Sequence, residues 1–103
     1  MGHVVFVGDG ALYEGDQRLG DARYQVDITA PSLPGGVTRV SGYVTASEID
    51  FLSLFMRKAP PNLTLHLEEG LRWDCRLASV EGRLHPVGVR LYRVVNGQRE
   101  DVF

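Results

Sequence analysis

The clearest order in this chain is an alternation of apolar and polar residues between Leu63 and Leu77. Leu63, Leu65 and Leu67 alternate with polar positions, and after Glu68-Glu69-Gly70 the period resumes with Leu71, Trp73, Cys75 and Leu77. A period of two marks a strand with one buried face. Three residues ending in Gly suit a hairpin loop built from a type I turn and one left-handed residue. That loop pairs Leu67 with Leu71, Leu65 with Trp73 and Leu63 with Cys75, all on one face, and predicts a buried Trp73. A slip of one residue would turn one strand's apolar set to solvent.

The same reasoning extends the sheet. With Glu81-Gly82-Arg83 as a second three-residue loop, Val80 pairs with Leu84, Leu77 with Val87, Cys75 with Val89 and Trp73 with Leu91. Pro86 has no N–H to give to a ladder, so a bulge or an edge is expected there. Upstream, Tyr24, Val26 and Ile28 share one face of a strand over 23–30, and the β-branched stretch 37–44 supplies its partner across a turn-rich loop at 31–36. Residues 3–7 and 11–19 add one or two shorter strands. Asp9-Gly10, Gly15-Asp16, Gly35-Gly36, Glu69-Gly70, Glu81-Gly82 and Asn96-Gly97 punctuate these runs as in all-β domains.

One helix interrupts the pattern, over 46–58. Thr45 and Glu48 have capping-box spacing, Val44 and Ile49 stand where a hydrophobic staple would, and Pro60-Pro61 ends it. At about 100° per residue, Ile49, Phe51, Leu52, Phe55 and Met56 fall on an apolar arc, with Phe51 at its border. Leu54 falls outside it, among Asp50, Arg57 and Lys58. The architecture this predicts is mainly β, a small α+β chain: one domain over 1–103, an antiparallel β-barrel or roll of about six strands with one inserted short helix.

Composition narrows the function classes. The chain has 103 residues, 44% of them apolar and 23% charged, enough for one ordinary core and far from the range of disordered chains. A formal charge of −2 gives no overall basic excess of the kind that drives nucleic-acid or membrane-surface binding. A lone Cys75 forms no intramolecular disulfide, which favours a reducing, cytoplasmic setting. The first residues lack the charged region and the apolar length of a signal peptide, and no apolar run approaches the roughly 18 residues of a membrane span.

Specific chemistries find little support. Cys75 and His66 lie on opposite faces of the proposed hairpin, so no Cys–His dyad forms. No serine sits in a Gly-x-Ser-x-Gly turn. His3, His66 and His85 lack ligand spacing, and no cofactor fingerprint is complete: Gly8-Asp9-Gly10 reads as a hairpin turn. The expectation is therefore no catalytic residue, no metal and no cofactor.

Two surfaces remain. The register places Arg72 beside His66 and Tyr92, Asp74 beside Thr64 and Arg90, and Arg76 close by. Arg72, Arg76, Arg90 and Tyr92 thus form a candidate platform for single-stranded nucleic acid or another anionic ligand. On the helix, Phe51 and Leu54 are neighbours by their spacing and would make an apolar contact patch if exposed. The leading expectation is a non-catalytic interaction module acting by contact with a protein partner or a second copy of itself, through the helix flank or a sheet edge. Anionic-ligand binding is the alternative.

Overall fold

A computed structural model describes residues 2–30, 35–36, 38–57, 61–87 and 91–102. The strands are β1 (His3–Glu14), β2 (Gln17–Thr29), β3 (Arg39–Thr45), β4 (Asn62–His66), β5 (Arg72–Leu77), β6 (Arg83–Pro86), β7 (Tyr92–Val95) and β8 (Gln98–Asp101), with a short helix α1 (Phe51–Phe55) between β3 and β4. Following the pairings β1–β2–β3–β6–β5–β4 and back to β1 closes a six-stranded antiparallel barrel, and β7 and β8 extend it from β5. Leu12, Val26, Val44, Leu63, Leu65, Trp73, Cys75, Leu84 and Leu91 are fully buried in its centre.

The first hairpin keeps its expected register. Leu63 faces Cys75 and Leu65 faces Trp73, and the Leu67 N–H donates to the Leu71 carbonyl at 2.7 Å. Its loop carries two left-handed residues rather than one, Glu69 (φ 62°) and Gly70 (φ 79°). The pairing of β2 with β3 is also as expected, and its register sets Tyr24 against Val44 and Ile28 against Val40.

The second hairpin departs from expectation. Leu77 pairs with Leu84, Arg76 with His85 and Cys75 with Pro86. The cause is Ser79, whose hydroxyl accepts from the N–H groups of Glu81 (3.2 Å) and Arg83 (3.3 Å). This local turn ends the ladder at Ala78–Arg83, leaves Val80 in the loop and still matches Leu on Leu. Past Pro86 the chain returns to the expected alignment, with Arg72 opposite Tyr92. The expected partner Val89 lies outside the described residues.

At the amino terminus, two short strands and a turn give way to one long strand. Asp9-Gly10 sits inside β1, which pairs with β2 from His3 to Glu14; a register shift falls between Leu12 and Tyr13. The glycines provide clearance instead of a bend. A Cβ on Gly8 would lie 2.7 Å from the Tyr24 hydroxyl, and one on Gly10 would fall on the His66 carbonyl oxygen. The Tyr24 ring therefore crosses β1 and its hydroxyl accepts from the Glu68 N–H at 3.0 Å.

The helix is shorter than expected. Thr45 is committed to β3 opposite Arg23, so Asp50 caps instead: its carboxylate accepts from the Ser53 N–H (3.1 Å) and the Ser53 hydroxyl (2.7 Å). With little more than one turn, the buried side is Phe51 and Leu54, preceded by Ile49.

Gly42 lies beneath the indole of Trp73, where a Cβ would come within 3.0 Å of the ring. Overpacking such sites destabilises by roughly 1–3 kcal/mol, or more where backbone is struck. Gly10→Ala is expected to lose at least that much and more than Gly42→Ala, because it collides with the β4 backbone. Urea unfolding of the two variants beside the parent checks the order.

Candidate functional site

On the outer face of β5 the structure brings together most of the anticipated polar residues. Arg72 lies between His66 of β4 and Tyr92 of β7. Arg76 is exposed at one end, between Asn62 and His85. Arg90 lies outside the described residues. The centre of the cluster is Asp74, whose carboxylate accepts from Tyr92 Oη at 2.8 Å, Thr64 Oγ1 at 3.3 Å and Arg99 Nη1 at 3.2 Å.

Arg99 was not foreseen. It comes from β8, an all-polar strand with no apolar period, whose one signal is the Asn96-Gly97 turn before it. Its guanidinium lies 4.0 Å above the Tyr92 ring while its Nε donates to Asp101 at 3.1 Å. Tyr92 is only 8% exposed. Burial and the hydrogen bond to Asp74 raise its phenol above the ordinary value. Tyr13 was also unforeseen; it stacks on His66 with ring centroids 4.0 Å apart. One face of each of these rings is therefore taken, that of Tyr92 by Arg99 and those of Tyr13 and His66 by each other. Arg72 and Arg76 form no ion pair among the described residues.

The apolar patch expected on the helix is not where it was placed. Phe51 and Leu54 belong to the core, Leu54 at 6% exposure. The exposed apolar side chains of this segment are Leu52, Phe55 and Met56. Cys75 is sealed from solvent, and burial pushes its thiol up to about 12, so it is a core residue with no thiolate at neutral pH. Among the described residues no group of three or more His, Cys, Asp or Glu side chains is placed to hold a metal ion, and no helix is long and apolar enough to cross a membrane.

A different surface emerges at the long strand. The Ala30 N–H donates to the Gly2 carbonyl at 2.7 Å, in line with the β1–β2 register. In an antiparallel ladder, backbone groups alternate in direction from one residue to the next. Gly2, Val4, Phe6 and Gly8 therefore turn their backbone groups towards β2, and His3, Val5, Val7 and Asp9 turn theirs to the opposite edge. On that edge β4 pairs with Ala11, Leu12 and Tyr13 only. From His3 to Asp9 no strand covers it among the described residues, although at its far end the Glu68 carboxyl, from the turn after β4, lies against Gly8. The outward side chains Val5 and Val7 are 44% and 61% exposed. They are flanked by His3, which lies 3.4 Å from Asp27, and by Asp9, 3.7 Å from Arg23.

Compared with protein-family models, curated proteins and solved structures, the chain matches none of them.

Burial, and secondarily the charge of Arg72, lowers the pKa of His66 below 6.5. The unfolded chain therefore takes up this proton first. The stability difference is absent well above 6.5 and grows as an increasing loss when pH falls through that value. His66→Gln is expected to lose less stability than the parent between about pH 7.5 and about pH 5.5, read as the shift in urea midpoint at each pH.

Proposed function

We propose that this barrel is a non-catalytic interaction module that works by accepting an extended strand along the open edge of β1. The observation that carries the reading is the row of outward backbone groups at His3, Val5, Val7 and Asp9, set among three exposed valines, Val4, Val5 and Val7. Sheet edges in natural proteins are ordinarily blunted by lysine, proline, bulges or a covering loop. Between His3 and Gly10 there is no lysine and no proline, and the one register shift in β1 lies farther on, at Leu12/Tyr13. Main-chain hydrogen bonding would give such a docking its affinity, and the side chains on alternate faces its selectivity. The sealed thiol of Cys75 and the mutually satisfied groups around Asp74 fit a structural role for those residues. A lone, buried cysteine also fits the reducing cytoplasm, the compartment we assign.

A second reading rests on Arg72 and Arg76. Their charges would let the outer face of β5 bind a single-stranded nucleic acid or another polyanion in a salt-dependent way.

Both readings can be tested. A photoreactive benzoylphenylalanine at position 7, introduced in cells, is expected to capture a partner, and the same residue at position 80 is not. Val80 is also exposed but lies in the β5–β6 turn. Equal capture at both positions, or none at position 7, would overturn the edge reading. For the second reading, fluorescence anisotropy with a labelled single-stranded oligonucleotide at low salt should show binding that Arg72→Ala/Arg76→Ala weakens. No binding by the parent removes it.

A further inference from the structure

The open segment of β1 is nearly self-complementary, and this bears on what occupies it. Only even register sums are allowed if outward-turned residues are to meet outward-turned residues, since an antiparallel pair exchanges both its hydrogen bonds at one position. The segment runs from His3 to Asp9, so its midpoint is Phe6. An axis at Val5 would leave Asp9 beyond the pairing, and one at Val7 would set Val5 against a carboxylate and His3 against Ala11, which β4 already occupies.

We propose that the strand received by the β1 edge is the same segment of a second copy, the two β1 strands running antiparallel about a two-fold axis at Phe6. This rests on the edge reading above and names its partner. The axis sets Val5 against Val7 of the second copy and His3 against Asp9 of the second copy. Val5 and Val7 of the two copies close into one apolar patch on the outer face. The charge order across the join becomes Asp27, His3, then Asp9 and Arg23 of the second copy, with opposite signs adjacent when His3 is protonated. On the other face the exposed Val4 meets Gly8, beside which the Glu68 carboxyl lies, and Gly2 meets Gly10, so each pair at the β4 end contains a glycine. Phe6, which packs against the barrel core, directs its backbone to β2 and keeps that bond. Two-fold pairing of identical edges is isologous and closes on itself, which limits the assembly to a dimer instead of a fibre.

The register can be read with single cysteines, because the buried Cys75 thiol does not compete. In the proposed pairing, positions 5 and 7 of opposite copies have Cα atoms about 5.5 Å apart, within disulfide range, whereas like positions lie on a diagonal at about 7–8 Å. The purified protein is expected to be a dimer by light scattering. A mixture of Val5→Cys and Val7→Cys proteins should form a covalent dimer on mild oxidation roughly tenfold faster than either variant alone. Val5→Pro, which removes an N–H aimed at the open edge and none aimed at β2, should keep the parent's circular dichroism and become monomeric.

A parent that is monomeric at all concentrations, a Val5→Pro protein that remains dimeric, or crosslinking in each variant alone as fast as in the mixture would overturn the proposal. Self-pairing and the edge reading fail separately. A monomeric parent whose position 7 still captures a different protein in cells loses only the two-fold partner.

Discussion

Closure of this barrel depends on β4 reaching β1 over three residues, and that reach is possible because position 10 has no side chain. Any Cβ there would meet the His66 carbonyl, so the seam would part or the strand would shift. Several features converge on the same spot. The Tyr24 ring passes over the adjacent glycines to take a hydrogen bond from the next hairpin. Outside, the Tyr13–His66 stack spans the two strands being joined. A barrel removes sheet edges only where its strands overlap. Here a twelve-residue β1 is met by a five-residue β4, so among the described residues the closure that completes the core leaves the far half of β1 without a strand beside it.

The outer face of β5 shows how polar residues on a small sheet settle among themselves. Asp74 has three donors around it, and one of them, Arg99, also covers Tyr92 and reaches Asp101. Hydrogen bonds to charged groups contribute about 1.5–3 kcal/mol when shielded, and exposed ion pairs much less. The Tyr92–Asp74 bond is the shielded member, and the arginine mainly acts as its lid. What looks in sequence like an array of cations and an aromatic is thereby converted into a packed, charge-compensated surface, with Arg72 and Arg76 at its margin.

The parts of the fold legible in sequence are those set by near neighbours. The hairpin from Leu63 to Leu77 follows from its period of two, because the buried face and the turn agree. The β2–β3 pair is legible for the same reason. Gly8-Asp9-Gly10 was misread because a glycine that makes a turn and one that lets another chain pass look alike until the crossing residue is known. The second hairpin slipped because Ser79 could build its own turn, an option that the Gly82 signal hid. On the helix, two capping residues competed, and Thr45 was already held by β3, which shortened α1 and moved Leu54 from the expected outside to the core. Arg99 had no signal beyond a turn dipeptide, since a strand without apolar residues carries no period. The open edge of β1 was anticipated only as some sheet edge; its position depends on the unequal lengths of two strands that are distant in the chain.

The order of assembly follows from the same seam. The β1–β2 and β2–β3 pairings join segments adjacent in sequence, while Ala11 must find His66 across more than half the chain. Contacts of long sequence separation form late, because loop-closure entropy must be spent before they return anything. Until then the second edge of β1 is bare along its whole length, including the part that β4 will later occupy. A strand from another chain arriving in that interval competes with the protein's own β4, so the yield of refolding should decline as the concentration of folding chains rises. The edge proposed as the finished molecule's means of contact is thus the unfinished one's main hazard.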